Sequence, residues 1–88
     1  MREFEYDLDK SKINAEKHGI DFESAQSIWL DSEVLEVPAN FTEEPRYLVI
    51  GKVESKHWSA VVTYRDEKIR IISVRRSREK EIMLYENI

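Results

Sequence analysis

The sequence predicts an α+β fold: an antiparallel β-sheet of four to five strands, two N-terminal helices and a C-terminal helix, in a single domain over residues 1–88. Three observations predict it. Residues 46–74 consist of apolar, β-branched segments separated by polar turns, as in a β-meander. Capping residues precede two segments of the N-terminal part, and a helix-forming run follows residue 78. Finally, 88 residues without a cysteine approach the smallest chain that one core can stabilise, which favours one domain.

The chain begins with a short strand and a helix. Residues 3–7 alternate polar and apolar side chains, so the two aromatic residues of this strand are expected to face inward. Asp7 is a suitable N-cap for a helix over about residues 8–18. Gly19 can adopt the left-handed conformation that commonly ends a helix.

This first helix is polar. Lys10, Asn14 and Lys17 follow one another at intervals of four and three residues, so they line one face, which is either a solvated surface or a functional one. His18 lies in the last turn, where an imidazole either interacts with the helix dipole and the last carbonyls or serves a functional site.

A second helix is predicted to begin after Asp21, which is again a suitable N-cap. Its apolar residues form one face that can pack on a sheet: Phe22, Ala25, Ile28 and Trp29. Residues 31–33 end this helix, and residues 34–37 form a short strand that Pro38 stops, because proline cannot donate to a ladder. Residues 38–45 are predicted to be an exposed loop.

Three strands with short connections follow, which implies antiparallel pairing. They cover residues 46–53, 58–64 and 69–74. The central strands have apolar residues on both faces, so we expect the C-terminal helix to cover part of the second face with an apolar stripe of Ile82, Tyr85 and Met83 or Leu84.

Arginines concentrate where the last strand gives way to the last helix. Strand alternation predicts that one of Arg75 and Arg76 borders the core while the other faces outward. It places Arg75 with Ile69, Ile71 and Ser73, and Arg76 with Arg70, Ile72 and Val74. A guanidinium fixed at the edge of a sheet can clamp a phosphate, or it can form an ordinary surface ion pair.

The charge of the chain is divided unevenly. Residues 1–45 have four Lys/Arg against twelve Asp/Glu, a net charge of −8, whereas residues 46–88 have ten against six, a net charge of +4. The total of −4 therefore conceals a basic half that suits an anionic partner, together with an acidic half that opposes indiscriminate binding to nucleic acid.

Several classes of protein are disfavoured. No segment resembles a signal peptide and no apolar run approaches the roughly 18 residues of a membrane span, so we expect a cytoplasmic protein with no membrane association. The absence of cysteine is compatible with a reducing compartment. The two histidines are 39 positions apart and no ligand motif is present, so we expect no metal and no other cofactor.

Residues spread along the chain resemble the BrnT family of bacterial toxins, small ribonucleases similar in fold to the RelE toxins. The resemblance runs from Phe4 to about Tyr85 and is specific because its elements occur together and in order. Tyr6 stands where the family usually has Trp, and Val74 where it usually has Ala. The matching residues are Phe4, Tyr6, Asp7, Lys10, Asn14, Lys17-His18-Gly19-Ile20, Phe22, Ala25, Asp31, Arg46, Gly51, Ile69-Arg70-Ile71-Ile72-Ser73, Arg75, Glu81 and Tyr85.

The resemblance implies metal-independent cleavage of messenger RNA, which inhibits translation, and a cognate BrnA-type antitoxin that binds and blocks the toxin. DNA would be contacted only indirectly, through the antitoxin complex. The alternative is a non-catalytic protein of the same fold that binds its antitoxin or RNA. Direct repression of DNA is disfavoured because no helix-turn-helix pattern is present.

Such a reaction needs a base, a cationic group to stabilise the phosphorane and preferably an acid. We predict Lys17, His18, Arg46 and Arg75 as catalytic residues: the arginines stabilise charge, and the imidazole can transfer protons near neutral pH. Lys17 either contacts phosphate or acts as a base if neighbouring cations favour its neutral form. The predicted RNA-binding residues are Lys10, Arg76, Arg78 and Tyr85. Tyr85 can stack on a base or pack in the core, and His57 is interpreted as an ordinary exposed histidine.

Overall fold

The computed structural model describes residues 2–41 and 43–88. These residues form five strands and three α-helices, which confirms the predicted α+β class. In chain order they are β1 (Phe4–Glu5), α1 (Leu8–His18), α2 (Phe22–Ala25), a 3₁₀ helix (Gln26–Leu30), β2 (Leu35–Phe41), β3 (Pro45–Val53), β4 (Lys56–Arg65), β5 (Lys68–Arg76) and α3 (Glu79–Glu86).

The strands make one mixed sheet in the order β1-β5-β4-β3-β2. β2 to β5 pair antiparallel with their neighbours, but β1 runs parallel to β5, with Phe4 opposite Ile69. The predicted antiparallel sheet was therefore wrong at this edge. Hairpins force consecutive strands to run antiparallel, whereas no hairpin joins β1 to β5, so the local sequence does not determine their direction.

The edge strand β2 continues through Pro38 to Phe41, so the prediction that Pro38 ends the strand and begins a loop was wrong for this part. An edge strand needs ladder hydrogen bonds on one side only, and it therefore tolerates proline. The register shifts between Pro38 and Asn40, and such an irregularity protects an exposed edge. Thr42, which belongs to the predicted loop, lies outside the described residues.

The helices preceding β2 cover one face of the sheet, here called the core face. The predicted second helix is a single α turn followed by the 3₁₀ helix, so its regular continuation to residue 30 was wrong. Its predicted apolar face is confirmed, because all four residues are buried. The core comprises Ile20, Phe22, Ala25, Ile28, Trp29, Val49, Trp58, Ala60, Val62, Ile69, Ile71 and Val74.

A β-bulge in β5 decides which way its arginines point. Val62 lies opposite Ile71 and Val61 opposite Ser73, so Ile72 is an extra residue in β5. One extra residue reverses the alternation of every side chain that follows it. Arg75 is consequently opposite Ser59, on the other face from Ile71, and the prediction that Arg75 shares a face with Ile69 and Ile71 was wrong.

Helix α1 attaches to the sheet through polar side chains. The Asn14 amide donates to the carbonyls of Ile20 at 2.8 Å and Val74 at 2.9 Å, and its Oδ1 accepts the Val74 N–H at 3.2 Å. The Asn14 amide thus pairs with the N–H and C=O of Val74 as the backbone of a neighbouring strand would, on a part of the β5 edge that β1 does not reach. Ser11 Oγ accepts the Phe22 N–H at 2.8 Å in the same buried layer.

Helix α3 contacts β3 and joins side chains on the second face, as expected, but the predicted apolar stripe was wrong in part. Ile82 and Tyr85 are half-buried, whereas Met83 and Leu84 are exposed, and the contacts of α3 with the sheet are mainly polar. Among the helices of the described residues, none has the length and apolar character needed to span a membrane.

Candidate functional site

Side chains of β3, β4 and β5 meet those of α3 at one end of the second face. β3 and β5 end here and β4 begins, so the register brings Lys52 opposite His57 and Ser59 opposite Arg75. We call the following set the α3 cluster: Lys52, His57, Ser59, Arg75 and Ser77 from the sheet side, and Glu81, Tyr85 and Glu86 from α3.

The ion pair between Arg75 and Glu81 holds one side of the cluster together. Arg75 donates from both terminal nitrogens to the two carboxylate oxygens, each at 2.8 Å. Glu81 also accepts from Ser59 Oγ at 3.0 Å and from the Arg78 N–H at 2.8 Å, while Ser59 and Ser77 share a hydrogen bond of 2.7 Å. The Arg75 hydrogen bonds and these further donors outweigh desolvation and lower the pKa of Glu81 to about 2.

His57 and Lys52 form the other side of the cluster around Glu86. The His57 Nε2 lies 2.7 Å from the Glu86 Oε2, and the Lys52 Nζ lies 3.4 Å from the same oxygen. The hydrogen bond from His57 lowers the pKa of the Glu86 carboxyl, with help from Lys52. The Tyr85 ring approaches the His57 ring edge-on at 5.3 Å, so this imidazole is held between an aromatic ring and a carboxylate.

Tyr85 connects α3 to the core side of the sheet through Asp31. Its hydroxyl donates to Asp31 Oδ2, which also accepts the Lys52 N–H at 2.7 Å. Desolvation alone would raise the pKa of Asp31, but the hydrogen bonds from Tyr85, Lys52 and Glu33 outweigh it and lower that pKa. Burial, followed by the bond to Asp31, raises the pKa of Tyr85 to about 12, so its proton is retained as a hydrogen-bond donor.

Arg76 and Arg78 project elsewhere from the same end of the sheet. The Arg76 guanidinium carbon lies 5.6 Å from the centre of the Trp58 ring, on the core face, in a cation–π contact. Arg78 precedes α3 and is exposed. The two residues therefore present positive charge next to the α3 cluster but on surfaces that α3 does not cover.

The end of α1 lies beside the edge of β5. Lys17 is exposed and His18 is half-buried in the last turn of the helix. Four residues of helix rise by about 6 Å, so His18 is one turn from Asn14, which is bonded to Val74. Lys10 is exposed in the first turn, farther from this end of the helix. Lys17 and His18 thus lie near the end of β5, at the edge where α1 packs, whereas the Arg75 side chain points to the opposite face of the sheet, toward α3.

Arg46 lies at the opposite end of the sheet from Arg75. Because β3 and β5 run in the same direction, the start of one is remote from the end of the other. Arg46 and Arg75 are offset by four residues along the strands and by two strands across the sheet. This offset corresponds to about 16 Å between their Cα atoms. The structure does not bring these two predicted catalytic arginines together. Near Arg46, Arg65 donates to Glu44 at 2.7 and 3.0 Å.

Sequence reasoning did not select five members of the cluster: Lys52, His57, Ser59, Ser77 and Glu86. The interpretation of His57 as an ordinary exposed histidine was wrong, because its side chain is 17% exposed and paired with Glu86. A signal was present in the two-residue spacing of His57 and Ser59, which puts both on one face of a strand. What no local pattern indicated was that α3 would lie against that face.

Within the described ranges, no group of three or more His, Asp or Glu residues is arranged to hold a metal ion. What the arrangement offers is a set of fixed cations, an imidazole and hydroxyl donors at one end of a sheet. This combination defines a small α+β protein whose site holds side chains of the types that bind anions and transfer protons.

A comparison with family models identifies the class more narrowly. The model described as "Ribonuclease toxin, BrnT, of type II toxin-antitoxin system" matches residues 6–81. The chain therefore belongs to this family of ribonuclease toxins, as its motifs predict. Comparison with curated proteins gives no match.

Proposed function

We propose that this protein cleaves messenger RNA without a metal ion, that it thereby inhibits translation in the cytoplasm, and that a BrnA-type antitoxin neutralises it. Family membership supports a ribonuclease toxin with an antitoxin partner. The observation that supports the site is the attachment of α1 to Val74, which brings the helix end that carries Lys17 and His18 to the end of β5, one residue before Arg75 in the chain. A similarity in fold to RelE toxins is part of the same proposal.

Cleavage without a metal uses the ribose 2′-hydroxyl as the nucleophile. A base removes its proton, the oxygen attacks phosphorus, and the 5′-oxygen leaves with a proton from an acid. We assign proton transfer to His18, assisted by Lys17, and stabilisation of the phosphorane charge to Arg75. Arg46, at the other end of the sheet, would contact a different phosphate of the RNA strand, and Lys10, Arg76 and Arg78 would hold the backbone.

The test is to incubate the purified protein with RNA in the presence of EDTA. The protein should cleave, and Arg75→Ala or His18→Ala should lose roughly 10²-fold or more in rate. Arg65→Ala is the matched control, because Arg65 forms an exposed ion pair at the far end of the sheet. Cleavage that requires added magnesium would refute metal independence. Full activity in both active-site variants would place the site elsewhere.

One observation favours the alternative of a non-catalytic binding protein. Glu81 neutralises Arg75 and Glu86 pairs with His57, so two groups suited to catalysis are engaged within the protein itself. On this alternative, folded protein would bind RNA or its antitoxin but leave RNA intact in the same assay.

A further inference from the structure

We propose that the sheet side of the α3 cluster is a phosphodiester-binding site, and that the carboxylates of Glu81 and Glu86 occupy its anion positions when α3 is docked. The inference rests on the proposed function and deepens it. It adds His57 and Lys52 to Arg75 as groups that contact the RNA backbone, and it makes α3 a cover that must move before RNA can enter.

The first argument is the geometry at Arg75. A carboxylate and a phosphodiester each present two equivalent oxygens that share one negative charge, and a guanidinium fork matches both. Glu81 fills this fork with two bonds of 2.8 Å, and Ser59 donates to one of the same oxygens at 3.0 Å. A phosphodiester in place of this carboxylate would be held by the same donors.

The second argument is the geometry at His57. Its Nε2 and the Lys52 Nζ converge on one oxygen of Glu86, at 2.7 and 3.4 Å. An imidazole and a cation that both reach one anionic oxygen could in the same way reach an oxygen of a phosphodiester, with the imidazole placed to transfer a proton. His57 and Arg75 lie on the same face of neighbouring strands, so one RNA segment could contact both.

The third argument is that α3 is weakly attached. It has eight residues, none of them buried, whereas isolated helices shorter than about 12–15 residues are marginal in water. Its attachments are mainly polar: Glu81 to Arg75, Glu86 to His57 and Tyr85 to Asp31. An element held in this way can open locally at a lower cost than the core, and a polyanion can compete for its cations.

Binding to single-stranded DNA tests the site, because DNA has the phosphodiesters but lacks the 2′-hydroxyl that cleavage needs. The full-length protein is titrated against a labelled oligonucleotide, and fluorescence anisotropy gives the affinity. Glu86→Gln removes a competing charge at an exposed position and should tighten binding at least about threefold. Adding His57→Ala to this variant should reverse the gain. Glu81→Gln should also tighten binding, through Arg75.

Glu44→Gln is the matched control. It removes the same charge from an ion pair at the far end of the sheet. If it tightens binding as much as Glu86→Gln does, through net charge or through the neighbouring Arg46, the effect is not specific to the α3 cluster and the proposed site is wrong. Unchanged affinity in Glu86→Gln would also overturn the proposal. This holds whatever the result for Glu81→Gln, because the Glu81 carboxylate also caps α3 and its loss can change the affinity through the helix.

A second readout uses the two histidines of the chain. The oligonucleotide should shift the imidazole NMR signals of His57, and a shift confined to His18 would exclude the α3 cluster.

The outcomes of these tests separate the proposed phosphodiester site from the proposed catalytic function. A protein that binds DNA as described but leaves RNA intact refutes catalysis and not the site. One that cleaves RNA while its Glu81 and Glu86 variants bind DNA as the wild type does refutes the site alone.

Discussion

Acid should weaken this protein partly through Glu81. The pKa of this carboxyl falls from the usual 4.5 to about 2 in the folded chain, chiefly through its hydrogen bonds with Arg75. A carboxyl with a depressed pKa contributes stability that is fully present above its unfolded pKa and is lost as pH falls through the folded one. The contribution of Glu81 is therefore present at pH 6 and mostly lost by pH 2.

The structure sets the magnitude of this effect. Each pH unit between the folded and unfolded pKa corresponds to about 1.4 kcal/mol, so a fall from 4.5 to about 2 gives an upper limit of about 3.4 kcal/mol. The side chains of Glu81 and Arg75 are 14% and 24% exposed, and solvent screens such a pair. We therefore expect roughly 1–2 kcal/mol of this amount to be observed.

Urea unfolding at pH 6 and at pH 2.5 measures the pH-dependent stability that Glu81 contributes. Other carboxyls also have lowered pKa values, among them Asp31 and Glu86, so the wild type alone gives no clear answer. The comparison is with Glu81→Gln, whose free energy of unfolding should fall less between the two pH values, by the stated 1–2 kcal/mol. An equal fall in both proteins would show that the Arg75 pair contributes no pH-dependent stability, and the reasoning would fail.

Three other predictions concern packing and partner binding. Asn14→Ala should lower the free energy of unfolding by about 2–4 kcal/mol, since it leaves buried backbone groups without partners; a change below about 0.5 kcal/mol in urea unfolding would contradict this. Gly51→Ala should cost about 1–3 kcal/mol in the same assay, because its Cβ would lie 2.9 Å from a backbone oxygen. Gly19→Ala is the comparison: φ is +80° there and no atom would lie within 4 Å of the added Cβ, so this change should cost about 1 kcal/mol through backbone strain alone. Equal losses of unfolding free energy in the two variants would show that the close approach at Gly51 is unimportant. Association with the antitoxin, followed by stopped flow, should slow as salt is raised and again on charge reversal at Arg76 or Arg78; indifference to both changes would mean docking on another surface.

Local features of the fold could be predicted because their causes are local. The Asp7 carboxylate accepts the Lys10 N–H at 3.1 Å, and the Asp21 carboxylate accepts the Ser24 N–H at 2.7 Å, as capping chemistry requires. Gly19 adopts the left-handed conformation that was predicted for it. In each case the donor and acceptor lie within three residues of one another, so the sequence alone brings them together.

Long-range features could not be predicted in the same way. The direction of β1 depends on a partner more than sixty residues away, and the bulge at Ile72 depends on how β5 lies against β4. That one residue decides whether Arg75 faces the core helices or α3. The separation of Arg46 from Arg75 has a similar origin, because two parallel strands with one strand between them place these arginines at opposite ends.

Asn14 shows a third limit. Its spacing with Lys10 and Lys17 indicated a shared face, yet Asn14 is buried while the two lysines are exposed. An amide can satisfy its polar atoms on a backbone edge, whereas an ammonium group seldom loses its water without a charged partner. Residue type therefore decided burial where periodicity could not.

The net charge of +4 in residues 46–88 overstates the charge available to a partner. Arg75 is paired with Glu81, Arg65 with Glu44 and Arg70 with Glu5, and two of these three carboxylates come from the acidic half. Arg76 and Arg78, by contrast, form no ion pair with a carboxylate in the part of the chain that the structure describes. Among the described residues the same holds for four other exposed cations of this half, Arg46, Lys56, Lys68 and Lys80. An incoming acidic partner would therefore be steered by these exposed cations together, of which Arg76 and Arg78 lie next to α3. It would gain Arg75 and His57 as further contacts only after α3 withdraws its own carboxylates.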